Sequence, residues 1–153
     1  MHGETSRKSI ITLCASFSFY EHVCQVQEEL ESLGWEVIIP ETAVLMKKSG
    51  VFSLDPLSTL NMTDNSDAKT QAMRKHIDEV RRADAILVIN DEKHNIPDYI
   101  GPNVLIEMAI AFADHIPIYL INNIPAVSPL LDELKGLKPI PLLGNLKRIK
   151  NDE

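Results

Sequence analysis

One charged residue lies within an otherwise apolar stretch in the second half of the chain. Residues 104–113 read V-L-I-E-M-A-I-A-F-A, and Glu107 is the only charge among them. A helix this apolar is expected to be buried on nearly every side. Because burying an unpaired carboxylate is costly, Glu107 must be paired with a cation, protonated, or facing a wet pocket. A pocket carboxylate can act as a nucleophile or general base. The alternatives are a structural ion pair with Lys or Arg and a helix turn that grazes the surface.

The segments around this carboxylate alternate between strand and helix patterns. Apolar recurrence at spacings of three and four predicts helices over 19–33, 73–80, 103–113 and 129–134. Short apolar runs predict strands over 9–15, 35–40, 85–90, 117–122 and 139–143. Alternating strands and helices are typical of a doubly wound α/β sandwich. The expected architecture is flavodoxin-like, with about five mainly parallel strands in the order 2-1-3-4-5.

This topology locates a binding crevice before any motif is considered. In such sheets ligands bind at the carboxyl ends of the strands, at the switch point between the first and third strands. The loops there are Ser16–Phe19 and Asn90–Asn103, with Asn103 as the expected N-cap of the next helix. Glu107 follows one turn later, which places it beside the crevice. The chain is expected to form one domain over 1–153, with a lid loop over 41–67 and a frayed tail over 147–153.

Composition and motif searches exclude several classes of function. A net charge of -7 and a pI of about 5.2 argue against nucleic acid or anionic membrane as a partner. No apolar stretch approaches the length of a membrane span, and the polar N-terminus resembles no signal peptide, so a cytoplasmic location is expected. The sequence contains no G-x-G-x-x-G after the first strand, no P-loop and no G-x-S-x-G. The five histidines lack metal-ligand spacing, and Cys14 and Cys24 are expected to be core thiols.

Two neighbouring segments together resemble a known family. They are R-R-A-D-A-I-L-V-I-N at 81–90 and, after a loop, G-P-N-V-L-I-E-M-A-I-A at 101–111. This arrangement resembles the nucleoside 2-deoxyribosyltransferase superfamily, which also contains nucleoside-monophosphate N-glycosidases. The resemblance runs from the first strand to the strand near residue 120 and is strongest over 76–122.

The resemblance implies roles for particular positions. The family's nucleophile is the Glu on this helix, which is Glu107 here. An assisting Asp usually stands eight residues before the Asp of the A-D pair, and this chain has His76 there. The Gly that usually follows the first strand is Ala15. The Asp or Ser ahead of the nucleophile's helix corresponds most nearly to Gly101 or Asn103. These departures leave the substrate open.

The implied chemistry follows from the carboxylate. Cleaving an N-glycosidic bond develops positive charge at the anomeric carbon, which Glu107 can stabilise or trap covalently. Water then gives a hydrolase, and a second base gives a transferase. His76 and Asp91 are the candidates for assisting the departing base. The alternatives are that His76 is a packed histidine between Met73 and Val80 and that Asp91 only caps its loop.

Further side chains near the two loops are candidates for substrate binding. Aromatic rings that can stack on a nucleobase are Phe17, Phe19 and Tyr99, although Phe19 also begins the apolar stripe of the first helix. Residues that suit a ribose oxygen or phosphate, or that act simply as N-caps, are Ser16, Ser18 and Asn103.

The sequence therefore predicts an enzyme that cleaves or transfers the N-glycosidic bond of a (deoxy)nucleoside or nucleoside monophosphate through Glu107. The alternative is a nucleotide- or sugar-phosphate-binding module on the same scaffold, without turnover. The resemblance implies no metal or organic cofactor. It also implies a homo-oligomer, since family members are often dimers or larger.

Overall fold

Short apolar segments form a five-stranded parallel sheet in the computed structural model, which describes residues 7–53 and 66–150. The strands lie in the order β2-β1-β3-β4-β5, which confirms the predicted doubly wound, flavodoxin-like fold. β3 is buried along its whole length, as expected for a central strand covered on both faces. The strands are β1 (Ile10–Ala15), β2 (Glu36–Ile38), β3 (Ala85–Ile89), β4 (Ile118–Leu120) and β5 (Ile140–Pro141).

Helices cover both faces of this sheet. They are α1 (Tyr20–Ser32), α2 (Glu41–Ser49), α3 (Ser66–Arg81), α4 (Pro102–Ala113) and α5 (Leu131–Gly136), with short 3-10 helices at Phe17–Phe19 and Leu146–Arg148. Successive side chains of a strand point to opposite faces. On β1, Leu13 therefore joins the core beneath α1, whereas Cys14 joins the core shared with α3, α4 and α5.

Residues 41–67 do not form the predicted lid loop over their first third. Glu41–Ser49 is helix α2, and Gly50 ends it with a positive φ of 72°. The sequence concealed this helix because it is mostly polar and buries only Ala43 and Met46, which is too few positions to show a period. Residues 54–65 lie outside the described part of the chain.

The predicted frayed tail is also wrong over the residues that the structure describes. Leu146–Arg148 forms a 3-10 helix, in which Asn145 accepts a hydrogen bond of 3.1 Å from the backbone N–H of Lys147. Ile149 then packs into the core with 6% of its surface exposed. Two buried apolar residues thus anchor a segment whose charges suggested fraying. Residues 151–153 lie outside the described part.

The switch point brings two loops together, as the topology predicts. β1 and β3 are adjacent and parallel, with Ala15 opposite Ile89 at their carboxyl ends. The loop that follows β1 therefore faces the loop that follows β3. No helix within residues 7–53 and 66–150 is both long enough and apolar enough to cross a membrane.

Candidate active site

Helix α4 begins at this edge of the sheet and is less buried than its composition suggests. Val104, Met108 and Ala111 recur at helical spacing and form its buried face. On the other side Ile106 is 42% exposed and Phe112 is 51% exposed. The prediction that this helix is buried on nearly every side is therefore wrong for the single chain.

Glu107 lies at the border between these two sides. Its side chain is 16% exposed, so it is largely buried but still reaches solvent. Burial raises the pKa of Glu107 to about 7, a hydrogen bond from the Cys14 thiol opposes that rise, and the charge of Glu79 adds to it. Among the described residues, no lysine or arginine forms an ion pair with Glu107. The structural ion pair with Lys or Arg is thus not formed here.

His76 lies directly against this carboxylate. Its Nδ1 is 3.8 Å from Glu107 Oε1, which is too far for a hydrogen bond. The side chain is 12% exposed, and Nδ1 has no hydrogen-bond partner within the described chain. Burial lowers the pKa of His76, so the imidazole is neutral near pH 7. The structure thus brings two candidate residues from α3 and α4 together.

Cys14 of β1 lies next to Glu107 and His76, and the three residues form one cluster. It is fully buried on β1, and ligand atoms of Cys14, His76 and Glu107 all lie within 4.8 Å of one another. Burial raises the pKa of the Cys14 thiol, and the nearby Glu107 carboxylate raises it further. Cys14 is therefore a protonated thiol at neutral pH. The predicted burial of Cys14 is confirmed, but its position beside Glu107 was not foreseen.

Tyr20 approaches the same carboxylate from the start of α1. Burial raises the pKa of its hydroxyl, followed in size by the effects of Glu107 and Cys14. A neutral hydroxyl near Glu107 can donate a hydrogen bond to the ionised carboxylate. The Tyr20 ring also stacks on Phe17, with centroids 4.7 Å apart, so Phe17 supports Tyr20.

Asp91 belongs to a separate hydrogen-bond network on the same edge of the sheet. Its Oδ2 lies 2.7 Å from His22 Nδ1, and its Oδ1 accepts a bond of 3.3 Å from the Asn122 side-chain amide. Its backbone carbonyl accepts from the Tyr99 N–H at 3.0 Å. None of these contacts joins Asp91 to Glu107. The structure thus pairs Asp91 with a histidine, but that histidine is not His76.

The two switch-point loops are joined by a lysine. Lys93 Nζ donates a hydrogen bond of 2.9 Å to Ser16 Oγ and lies 5.3 Å from the centre of the Tyr99 ring. A Cβ at Gly101 would meet that ring at 3.4 Å, an ordinary van der Waals distance, so the Tyr99 ring lies beside the start of α4. Ser16, Tyr99 and Gly101 therefore lie close together where the two switch-point loops meet.

Two other candidates have weaker positions. Asn103 is exposed and does not cap α4, because Gly101 is the N-cap and Pro102 fills the first helical position. The predicted N-cap at Asn103 is therefore wrong. Ser18 is also exposed, within the 3-10 helix, and Ser16, the N-cap of that helix, makes no side-chain cap bond. Phe19 is 6% exposed and belongs to the core.

Sequence reasoning missed five residues of this edge. They are Cys14, Tyr20, His22, Lys93 and Asn122. For Cys14 a usable signal was present, since strand alternation places it on the face where α4 packs. The contacts of the others are long-range and leave no local pattern in sequence.

A hollow of about 450 Å³ lies at the opposite, amino edge of the sheet. Its lining residues are Lys8, Glu31, Trp35, Glu36 and Val37, and it includes none of the candidate residues. The groups that could take part in a reaction are thus those of the carboxylate cluster at the carboxyl edge.

No protein-family model matches the chain, and no curated protein matches it either.

Proposed function

We propose that the protein is an enzyme that cleaves or transfers the N-glycosidic bond of a (deoxy)nucleoside or nucleoside monophosphate. Glu107 is the residue that attacks or stabilises the anomeric carbon. The resemblance of residues 76–122 to the nucleoside 2-deoxyribosyltransferase superfamily supports this choice of reaction. The reaction class and the substrate rest on that resemblance together with the chemistry of the site.

The observation that carries the proposal is the electrostatic state of Glu107. Its carboxylate lies near the switch point, largely buried, with no described lysine or arginine to neutralise it. Its pKa of about 7 leaves an anion available at neutral pH. Such an anion is weakly solvated, so a positive charge developing beside it is strongly favoured.

Each neighbouring group has a distinct part in this reaction. The Tyr20 hydroxyl and the Cys14 thiol, both protonated, are suited to hold the Glu107 carboxylate in place by hydrogen bonding. His76, neutral near pH 7, is suited to hydrogen-bond the sugar or the departing base. Lys93 and Ser16 lie where the two switch-point loops meet, and their side chains suit a phosphate or sugar oxygen.

The direct test is release of free base. The purified full chain is incubated with a panel of ribo- and deoxyribonucleosides and their monophosphates, and products are separated by chromatography. We expect release with at least one substrate and its loss in Glu107→Ala. Asp114→Asn is the matched control, because Asp114 ends the same helix and contacts Arg81 at 3.5 Å, away from the cluster. Equal release by Glu107→Ala would overturn the proposal.

Two further measurements define the mechanism. A 2-fluoro-sugar substrate should leave a mass adduct on Glu107 if the carboxylate forms a covalent intermediate. Adding a second free base distinguishes the two outcomes, since a transferase forms a new nucleoside whereas a hydrolase forms only free sugar.

A binding module without turnover is the second candidate. One observation favours it: the ammonium of Lys93 contacts a hydroxyl and a ring but no described carboxylate, which leaves its charge available to an anion. A phosphate there would need nothing from Glu107. Tight monophosphate binding by calorimetry, without base release and unchanged in Glu107→Ala, would favour the module over the enzyme.

Assembly and location form part of the proposal. The exposed apolar residues Ile106 and Phe112 of α4 support a homo-oligomer that covers this helix. Light scattering coupled to gel filtration tests this, and Ile106→Glu should shift the mass toward the monomer. The free, buried thiols of Cys14 and Cys24 are compatible with the reducing cytoplasm.

A further inference from the structure

Three different metal-ligating groups converge in the cluster around Glu107. Cys14 comes from β1, His76 from α3 and Glu107 from α4, and one ligand atom of each lies within 4.8 Å of the other two. The Nδ1 atom of His76 is buried and accepts or donates no hydrogen bond within the described chain. A buried nitrogen without a partner is uncommon and requires an explanation.

We propose that Cys14 Sγ, His76 Nδ1 and a Glu107 carboxylate oxygen form a binding site for one zinc ion. A thiolate, an imidazole and a carboxylate are all common zinc ligands, and a thiolate disfavours magnesium and calcium. Three protein ligands leave the fourth tetrahedral position to water or another small ligand. No metal-ligand spacing is visible in the sequence because the three ligands lie on three separate elements.

The spacing of the nitrogen and oxygen ligands is close to that required, and the sulfur of Cys14 lies within 4.8 Å of both residues. Tetrahedral zinc with bonds of about 2.0 Å to nitrogen and oxygen holds these two atoms about 3.3 Å apart. His76 Nδ1 and Glu107 Oε1 are 3.8 Å apart, so an adjustment of roughly 0.5 Å brings them into range. Small side-chain rotations provide a movement of this size.

The protonation state of each ligand determines which protons zinc must displace. His76 is neutral near pH 7 and offers a lone pair at Nδ1 in its Nε2–H tautomer. Zinc replaces the proton of the Cys14 thiol: the S–H bond breaks, the S–Zn bond forms, and the proton passes to the buffer. Any proton on Glu107 leaves in the same way. One thiolate and one carboxylate then balance the two positive charges of zinc.

This site goes beyond the proposed function and places a limit on it. Zinc coordinated by Glu107 would neutralise the carboxylate on which the proposed reaction depends, so zinc and substrate should compete for this residue. Zinc would act as an inhibitor of the glycosidic reaction rather than as its cofactor. Metal binding can be measured without any substrate, so failure of either proposal leaves the other intact.

The first experiment titrates the metal-free full chain with cobalt(II) and with zinc(II), using a non-thiol reductant to keep Cys14 reduced. We expect one cobalt per chain with a thiolate-to-cobalt charge-transfer band, which zinc abolishes by displacement. X-ray absorption of the zinc-loaded wild type should show one sulfur among nitrogen and oxygen neighbours. Absence of sulfur from the zinc ligands would overturn the proposal without any variant.

Variants then identify the ligands. Cys14→Ser, His76→Phe and Glu107→Gln should each weaken zinc binding by at least about 100-fold, measured by competition with a chromophoric chelator. Cys24→Ser is the matched control, because Cys24 is also buried but packs on the opposite face of the sheet. It should bind zinc within about twofold of the wild type. Unchanged binding in Cys14→Ser, or its loss in Cys24→Ser, contradicts the assignment.

Discussion

The carboxyl edge of the sheet contains two carboxylate–histidine pairs that differ in almost every physical respect. Asp91 and His22 are joined by a 2.7 Å hydrogen bond, with side chains 30% and 38% exposed. Glu107 and His76 are 3.8 Å apart and only 16% and 12% exposed. Asp91 also receives a hydrogen bond from Asn122, whereas His76 Nδ1 has no described partner.

The Asp91–His22 pair is suited to stabilising loops, whereas the Glu107–His76 pair keeps groups available for reaction. A satisfied pair in contact with water contributes modest stability and has little left to offer a substrate. A buried pair in which a polar atom lacks a hydrogen-bond partner raises the free energy of the folded state, and binding of a substrate or metal can remove that cost. The second pair is therefore the stronger candidate for chemistry, although both lie at the same edge.

Base release should show the largest contrast between the pairs. Glu107→Gln is expected to lower the rate at least about 10³-fold, because the amide cannot stabilise or trap the anomeric cation. Asp91→Asn should lower it by less than about tenfold, since Asp91 contacts His22 and Asn122 rather than the cluster. The measurement is the initial rate by chromatography. A greater loss in Asp91→Asn would reverse the assignment of the two pairs.

Unfolding at different pH values tests the cost of ionising Glu107. Its pKa is about 7 in the folded chain and 4.5 ordinarily, so between these values the folded state holds a proton that the unfolded state releases. Stability is thus lost as the pH rises through this window. The free energy of unfolding of Glu107→Gln should match that of the wild type at pH 4.5 or below and exceed it by about 3 kcal/mol at pH 8.

The readout is the free energy of unfolding from urea titrations at both pH values. Asp114→Asn serves as the control at the far end of α4, where no such pH-dependent difference is expected. If Glu107→Gln shows the same difference from wild type at both pH values, the carboxyl is not desolvated as described.

The pH dependence of the rate is a smaller but more specific test. If the Glu107 anion is required, the rate should fall on the acid side with an apparent pKa of about 7 and be about tenfold below its plateau at pH 6. Burial lowers the pKa of His76, so protonation of the imidazole contributes less to this limb than it would at the ordinary pKa. Asp91→Asn should leave the limb in place. A rate that rises as the pH falls below 6 excludes an anionic role for Glu107.

Much of the fold could be predicted from local patterns. Buried parallel strands such as β3 are continuous apolar runs, and Gly34, with a φ of 97°, lies just beyond the end of α1, where glycine is a common stop signal. Helix α2 was missed because a mostly polar helix that buries two side chains carries no visible period. The tail was misjudged because its charges outnumber the two buried residues, Leu146 and Ile149, that anchor it.

The candidate site was predictable only in part. Glu107 stood out because a charge in an apolar helix is locally anomalous, and strand order brought it to the switch point. The partners of Glu107 could not be read in the same way, because Cys14 and Tyr20 look like ordinary core residues in sequence. Asp91 and His76 were both identified as assistants, yet only the contacts separate them into different networks. Contacts between distant elements carry information that periodicity does not.

Replacing each histidine by phenylalanine gives the smallest expected effect and compares the two pairs directly. His22→Phe breaks the 2.7 Å bond to Asp91 and should destabilise the fold by about 0.5 kcal/mol, since the pair is partly exposed. His76→Phe removes a buried nitrogen that has no partner, so its effect should be neutral or slightly stabilising. Thermal unfolding at pH 7.5 in a chelating buffer measures both without interference from zinc. A larger loss of thermal stability for His76→Phe than for His22→Phe would mean that the unpartnered nitrogen contributes to folding through a contact outside the described residues. The contrast between the two pairs would then fail.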